Sequence, residues 1–335
     1  MVMRYSFYLE ILKSFLPPGG LPKVANAILH RLKWPEHRYS LICGLNIIHR
    51  CNLSCSFCAY GGFHKQSPSY PDIDLDTFTT IINHEIFKYS FYATFGLGEP
   101  LLHDNLFQYI AMLNKRKIIS CTSTNATLLE DRHKEFSFPF PNIVRVSYYK
   151  SIQDKQSNGI RLLMGSKTNA TFVALTKLIS KDNIEEMAET MLFSASLGIK
   201  RIWFQQFIQT RNTKVNTYPL IYDNDTEAAR HIADMKKYQK SKYPDLLCAY
   251  PHPIPTSPAK CFCNVLSRGP YINSDGSVQP CCAIEADVLG GFGNIFKNQN
   301  PLVDDDGYMR LKRSFGGSKE KLFTTCKDCF FLNYM

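Results

Sequence analysis

The stretch LICGLNIIHRCNLSCSFCAYGG, at residues 41–62, joins a strand-like apolar run directly to a loop with three cysteines. Cys51, Cys55 and Cys58 are spaced C-x3-C-x2-C. Three thiolates on one short loop can bind three irons of a 4Fe-4S cube, which leaves the fourth iron without a protein ligand. Such an open iron is a chemical site, so this loop predicts a cluster that binds another molecule.

Beyond this loop, strand-like runs alternate with helix-like runs about six times, from residue 41 to about residue 207. The strand candidates are residues 41–49, 92–98, 117–124, 142–149, 169–175 and 200–207. Amphipathic stretches separate several of them, at residues 75–87, 105–116 and 184–198. This alternation predicts an α/β fold with a parallel sheet and helical crossovers. The periodicity alone fits an open sheet and a barrel equally.

The chain divides into four parts around this pattern. Residues 1–38 contain two short helical pieces, which we expect to pack on the main domain; contact with a membrane surface is the alternative. The core is expected at residues 39–210 and a connector at residues 211–260. Residues 261–335 hold six of the twelve cysteines, which predicts a small metal-bound module.

The composition is typical of a folded protein in a reducing compartment. Hydrophobic residues are 44% and charged residues 20% of the chain, which excludes wholesale disorder. Twelve cysteines in 335 residues are too few for a disulfide scaffold and favour metal binding. No run of eighteen apolar residues and no signal-peptide cleavage site occur, so we expect a cytoplasmic protein without a transmembrane segment. The net charge of +10 comes without a basic, aromatic-rich stretch, so no nucleic-acid partner is expected.

The cysteine loop resembles that of the radical S-adenosylmethionine (SAM) superfamily, and the resemblance extends over residues 41–335. The family's loop spacing is matched in full, with Phe57 before the third cysteine and an Arg-Cys-Asn opening directly after the first strand. The resemblance implies a partial (β/α)6 TIM-like barrel. It also implies a 4Fe-4S cluster on Cys51, Cys55 and Cys58, with SAM bound through the open iron.

The second predicted strand ends in Gly96-Leu97-Gly98-Glu99-Pro100, which looks like the Gly-Gly-Glu-Pro segment of that family with Leu97 inserted. Glycines permit close approach of the backbone, and a carboxylate at a strand end can accept hydrogen bonds from an ammonium group. The resemblance implies that Gly96, Gly98 and Glu99 bind SAM and that this segment receives its amino group.

Two further polar residues lie at predicted strand ends. Asn125 follows the third strand and Ser147 lies in the fourth, and both resemble family positions that contact the ribose or carboxylate of SAM. Each also fits a bland alternative, since Asn125 can bond its own turn and Ser147 can be an ordinary strand residue. A barrel enzyme places its site at the carboxyl ends of its strands, where these residues and Glu99 all fall.

The second set of cysteines lies near the C-terminus and resembles the auxiliary-cluster modules called SPASM and twitch domains. Cys281 and Cys282 are adjacent, so in extended backbone only one reaches a cluster, whereas Cys261 and Cys263 share a face. The chain stops six residues after Cys329, which predicts a truncated, twitch-like module with one auxiliary 4Fe-4S cluster. The favoured ligands are Cys263, Cys281, Cys326 and Cys329, and the substitutes are Cys261 and Cys282.

Zinc is the alternative metal at both sets. A structural zinc at the first loop needs a fourth ligand, which His49 or His64 offers. Four cysteines in paired clusters also suit tetrahedral zinc at the second. Three ordinary loop cysteines are the remaining interpretation of the first loop.

The resemblance implies reductive cleavage of SAM to methionine and a 5'-deoxyadenosyl radical, which removes a hydrogen atom from the substrate. An auxiliary cluster with four cysteine ligands has no open iron, so its expected role is to accept an electron, which gives two-electron oxidation overall. The short stretch before the first strand favours a small-molecule substrate, and a flavodoxin or ferredoxin is the expected reductant. The alternatives are a peptide-modifying maturase (RiPP-type or sulfatase-type), an epimerase with Cys248, Cys261 or Cys282 as hydrogen donor, and a non-catalytic electron carrier.

Overall fold

The structure is a computed structural model. It describes Ala25 and residues 40–56, 58, 71–138, 142–207, 218–254, 256, 263, 265–266, 269–282, 291–297, 300, 302, 306–315, 322, 324–327 and 329. The helical pieces predicted within residues 1–38 lie outside this set apart from Ala25, as do Phe57, His64 and Cys261.

Within the described residues, nine strands form one sheet in the order β7-β6-β5-β4-β3-β2-β1-β8-β9. All neighbouring strands are parallel except β8 and β9, which form an antiparallel hairpin. The strands are β1 (Ile42–Asn46), β2 (Tyr92–Phe95), β3 (Ile119–Thr124), β4 (Asn142–Ser147), β5 (Thr171–Ile179), β6 (Arg201–Gln206), β7 (Leu247–Ala249), β8 (Tyr271–Asn273) and β9 (Val278–Gln279).

The described helices are α1 (Leu75–Asn83), α2 (Leu106–Lys115), α3 (Leu129–Arg132), α4 (Gln153–Ser166), α5 (Glu186–Ser196), α6 (Thr226–Lys242), α7 (Asp306–Ser314) and α8 (Thr324–Lys327). The first six connect successive strands, and the last two follow β9. From β1 to β7 each strand joins the sheet beside the preceding one, which is the topology of a TIM-like barrel. Because β1 pairs with β2 and β8, the barrel is partial, and the predicted fold class is confirmed.

The helix-facing side of the sheet carries the main core. Val144 and Val146 of β4 belong to one buried cluster with Phe78 of α1 and Tyr109 of α2, whose rings stack with centroids 4.0 Å apart. α1 begins where the Asp74 side chain accepts the Thr77 N–H at 2.7 Å, which satisfies a free donor of the first turn. Burial of this apolar face is the main stabilising contribution to such a fold.

The opposite, inner face of the sheet carries a separate apolar cluster, here called the floor. It consists of buried Ile119, Cys121 and Ile143 with half-buried Phe91, Tyr92, Phe172 and Trp203. These residues lie at or just before the first three positions of β2 to β6, so the floor fills the amino-terminal end of the barrel. The carboxyl ends of the strands are left to polar residues.

The C-terminal segment is part of the barrel sheet. β8 lies beside β1, and the buried Asn46 side chain donates to Asn273 Oδ1 and to Gln279 Oε1, both at 2.7 Å. The Tyr271 ring covers Gly44, where a Cβ atom would lie 2.5 Å from the ring. The stretch predicted as a connector supplies α6 and β7, which add one more unit to the sheet. Among the described helices, none combines the length and apolar character that a bilayer span needs.

Candidate active site

The turn after β2 brings its backbone against the segment that leaves β1. Leu97 and Gly98 both adopt positive φ, of 55° and 58°. A Cβ atom on Gly98 would lie 2.5 Å from the Arg50 carbonyl oxygen, so this position requires glycine. The Glu99 N–H donates to that same carbonyl at 3.0 Å. The turn therefore fixes the start of the cysteine loop relative to β2.

The Glu99 carboxylate joins the ends of β2 and β3. It is 1% exposed and accepts hydrogen bonds from Thr124 Oγ1 at 2.7 Å, from the Asn125 N–H at 2.7 Å and from the Leu101 N–H at 3.1 Å. Burial raises its pKa to about 7, although these hydrogen bonds act in the opposite direction. A carboxylate has about four acceptor positions, so one remains for a further donor.

Asn125 links the end of β3 to the cysteine loop. Its Nδ2 donates to Asn52 Oδ1 at 2.8 Å and lies 3.9 Å from Cys51 Sγ. Its Oδ1 accepts from the N–H and the hydroxyl of Thr127, at 3.0 and 2.6 Å, and Asn52 Nδ2 donates to the same hydroxyl at 2.8 Å. Asn125 thus bonds its own turn, as the alternative expected, and also orients the loop.

The three loop cysteines are all partly accessible. Burial raises the pKa of Cys55 to about 11, and the charges of Cys58 and Cys51 contribute in the same direction, so the three thiols are close enough to interact. Burial also raises the pKa of Cys51. No three Cys, His, Asp or Glu groups among the described residues converge on one metal position. In a cluster each cysteine binds a different iron, so the sulfurs need not converge on one point.

Gln156 of α4, which the sequence reasoning missed, ties β3 and β4 together. Its Nε2 donates to the Asn125 carbonyl at 2.8 Å and to the Ser147 carbonyl at 2.7 Å. Its Oε1 accepts the Tyr149 N–H at 3.2 Å. Burial raises the pKa of Tyr149 well above its usual value, and the next cause is the charge of Cys55, which puts this phenol near the loop. No sequence signal marks Gln156, because it is an ordinary polar residue inside a helix.

In the C-terminal module, Cys326 is buried, and Cys263, Cys281 and Cys329 pack against the same core cluster. Burial raises the pKa of Cys326 to about 12, with a further contribution from the charge of Cys263. Burial and the charges of Cys263 and Cys281 raise the pKa of Tyr308 well above its usual value. The favoured cysteines thus lie together, while Cys261 lies outside the described residues.

Cys282 and Cys248 lie in different surroundings. Burial raises the pKa of Cys282 to about 11, while the Arg145 guanidinium of the barrel interior lowers it. The charge of Cys263 also raises the pKa of Cys282, so Cys282 lies near both Arg145 and a favoured cysteine of the module. Cys248 is fully buried in the helix-side core, where burial raises its pKa to about 12. A thiol on that side of the sheet does not reach the barrel interior.

Two family models match the chain. The model of the radical SAM superfamily matches residues 45–191, and the model of the SPASM iron-sulfur cluster-binding domain matches residues 261–330. No curated protein matches the chain.

The fold is similar to those of solved structures. Streptococcus suis SuiB bound to SAM is 15% identical, with a TM-score of 0.65 over 91% of this chain and 76% of SuiB. SuiB bound to its precursor peptide SuiA is 14% identical, with a TM-score of 0.61 over 92% of this chain and 73% of SuiB. The protein anSMEcpe with bound AdoMet and the Kp18Cys peptide is 15% identical, with a TM-score of 0.60 over 82% of this chain and 83% of anSMEcpe.

Proposed function

The chain belongs to the radical SAM superfamily and carries a SPASM iron-sulfur domain at its C-terminus, and from this premise we propose that it oxidises its substrate by two electrons. Its cofactors are SAM, a SAM-binding 4Fe-4S cluster and an auxiliary iron-sulfur centre in the SPASM domain. The hydrogen-bonded connection of the cysteine loop to the ends of β2 and β3, through Asn125 and Glu99, supports SAM binding. The observation that carries the oxidation is the second set of four cysteines, which leaves no open iron for a substrate.

The residues present suit these cofactors. The loop thiols are partly accessible, share one short segment and are close enough to interact, which suits three irons of one cluster. When bound, the first cluster would supply one electron for cleavage of SAM to methionine and a 5'-deoxyadenosyl radical, which takes a hydrogen atom from the substrate. The auxiliary cluster would accept the second electron from the substrate. A flavodoxin or ferredoxin is the proposed reductant.

The chain's own residues orient and enclose these groups. We assign Cys51, Cys55 and Cys58 to the first cluster, and the free acceptor position of Glu99 to the amino group of SAM. We assign Gly96 and Gly98 to the same site, where Gly98 allows close approach to the Arg50 carbonyl and Gly96 leaves room for the Tyr271 ring. The Asn125 side chain is occupied by Asn52 and Thr127, which supports a role in positioning the loop.

We assign the auxiliary cluster to Cys263, Cys281, Cys326 and Cys329. Their packing against one core cluster supports this choice. Cys282, which lies near both Cys263 and Arg145, stays the substitute ligand. Four cysteine ligands leave no open iron, which suits electron transfer. Of the described cysteines named for the epimerase alternative, Cys282 is the one near Arg145 of the barrel interior, so it is the hydrogen donor of that alternative.

A peptide substrate is the second candidate, beside the small molecule that the sequence favours. SuiB and anSMEcpe, which share this fold, have been solved with bound peptides. A chain with a similar barrel can present a similar opening to a peptide.

The test is anaerobic reconstitution of the full chain, reduction with dithionite, and quantification of 5'-deoxyadenosine by mass spectrometry. A product lighter by two hydrogens supports oxidation. A product of unchanged mass that carries solvent deuterium supports the thiol-dependent epimerase instead, and Cys282→Ala then abolishes deuterium incorporation. Clusters without SAM binding or cleavage indicate an electron carrier and reject the proposal.

A further inference from the structure

An arginine lies on the inner face of the barrel. Arg145 of β4 pairs with Ser123 of β3 and Ala174 of β5. Its neighbours Val144 and Val146 belong to the helix-side core, whereas Ile143 belongs to the floor. Because side chains alternate along a strand, Arg145 projects into the barrel, one step above the floor.

The Arg145 guanidinium contacts uncharged side chains. Its Nε donates to the Ser123 hydroxyl at 3.0 Å, and its Cζ lies 5.6 Å from the centre of the Trp203 ring. The groups whose charges influence it are two thiols, Cys121 and Cys282, and two phenols, those of Tyr92 and Tyr271. In the part of the chain that the structure describes, no carboxylate forms an ion pair with Arg145.

An arginine in these surroundings keeps its charge. Burial lowers the pKa of Arg145, but the neighbouring thiols and phenols raise it, and the net direction is upward. Arg145 is half-buried, and a partly desolvated guanidinium is stabilised by an anion with oxygen atoms in one plane, because two parallel N–H donors match a carboxylate. Among the described residues the guanidinium donates only from Nε, to Ser123, so its other N–H groups can make that match.

Arg145 lies apart from the proposed SAM site. It lies two residues before Ser147, about 6.6 Å deeper along the strand. The groups that influence the pKa of Arg145 do not include the loop cysteines or Glu99. They do include Cys282 of the C-terminal module. Arg145 therefore faces the part of the barrel between the SAM-binding rim, the floor and the SPASM domain.

We propose that Arg145 binds a carboxylate of the substrate and so selects acidic substrates, either small acids or peptides with an acidic side chain or a free C-terminus. This inference rests on the proposed function, which places the substrate in the barrel. A single positive charge among hydroxyl groups and an indole suits one carboxylate better than a phosphate, which carries more charge than one arginine balances.

The experiment uses the reconstituted, SAM-loaded full chain and matched acid and amide probes. The pairs are propionate with propionamide, glutarate with glutaramide, and N-acetylglutamate methylamide with N-acetylglutamine methylamide. Binding is followed by ligand-observed NMR on the wild type, Arg145→Gln and Arg145→Lys. Arg201→Gln is the matched control, since Arg201 also lies on the sheet at the start of β6, over the Phe172 ring.

For at least one pair we expect the acid to bind the wild type about 10- to 100-fold more tightly than the amide, the range of a charge-assisted hydrogen bond. Arg145→Gln should abolish this preference, Arg145→Lys should keep part of it, and Arg201→Gln should keep all of it. Equal binding of acid and amide by the wild type in every pair, or an unchanged preference in Arg145→Gln, overturns the proposal.

A second arm identifies the source of the carboxylate. If Arg145 held the carboxylate of SAM, Arg145→Gln would weaken binding of SAM but not of decarboxylated SAM, and this result also overturns the proposal. We expect both to bind Arg145→Gln as they bind the wild type. SAM cleavage is measured separately, so its absence in the wild type rejects the proposed function while the acid preference is still scored.

Discussion

The two cysteine sets are built in different ways. The loop of Cys51, Cys55 and Cys58 lies within eight residues and is attached to the barrel by polar contacts, through Asn52, Asn125 and the backbone of Arg50. The C-terminal cysteines come from separated segments, and all four belong to or pack against the main apolar core. A local set reveals its ligands by spacing alone, whereas a set assembled by packing requires the structure.

The largest effect should come from removing the loop thiols. The triple variant C51A/C55A/C58A should lose SAM cleavage completely, because the open iron is gone. Iron and sulfide analysis should fall from about eight irons per chain to about four, since the module keeps its own cluster. If the variant also loses the remaining irons, the two sets are not independent, and the contrast between them is wrong.

The second prediction separates ligand from bystander in the module. Cys326→Ala should contain about four irons per chain fewer than the wild type, while SAM binding persists. Cys282→Ala, its matched control, should keep all of the iron because we assign the cluster to its neighbour Cys281, which packs against the main core. Loss of iron in Cys282→Ala and not in Cys326→Ala would reverse the assignment, and about one zinc per chain in place of iron would reject the auxiliary cluster.

The third prediction concerns the polar attachment of the loop. Glu99→Ala removes the acceptor of three hydrogen bonds at the rim, so it should lower stability by about 2–3 kcal/mol and weaken SAM binding by about 1.5–3 kcal/mol. Calorimetry measures the affinity and thermal unfolding measures the stability. Glu135→Ala, which removes an exposed carboxylate bound to Arg132, should change both by less than about 0.5 kcal/mol.

The smallest effect is a pH dependence of the barrel rim. Burial lowers the pKa of His103, whose Nδ1 accepts the Asn105 N–H at 3.1 Å, so the folded state holds the neutral ring. The unfolded state therefore binds more protons at the position of His103 as pH falls through about 6.5, so this residue lowers stability below that pH, whereas Glu99, with its pKa raised to about 7, acts in the opposite direction. As pH falls below about 6.5, the stability of His103→Gln relative to the wild type should therefore rise in thermal unfolding. A residual slope is expected from His84, whose pKa is also lowered by burial.

Much of the barrel could be predicted from the sequence, because strand and helix periodicities differ and each predicted strand from residue 41 to 207 overlaps an observed one. The sequence also placed Glu99, Asn125 and Ser147 at neighbouring strand ends. It did not reveal that Asn52 and Thr127 complete the Asn125 network, or that Gln156 joins two strands. Those contacts depend on side-chain positions, which the sequence of polar residues in loops and helices does not predict.

The barrel interior was hardest to foresee. Arg145 lies in the apolar run NIVRVSYY. The sequence of a strand does not determine whether a single charged side chain within it is exposed or buried. Only the pairing of β4 with β3 and β5, and the assignment of Val144 and Val146 to the opposite face, determine that it points inward. The pairing of β8 with β1 was equally hidden, since strands far apart in sequence carry no local mark of each other.

The pairing of β8 with β1 has a consequence for biosynthesis. Asn46 and its partner Asn273 are 227 residues apart, so the ribosome emits the second about 10–45 s after the first. During that interval β1 is an edge strand with unpaired backbone groups on one side, a surface prone to wrong pairing. Contacts of such long range also slow folding. The nascent chain should therefore depend on chaperones until its C-terminal hairpin has been made.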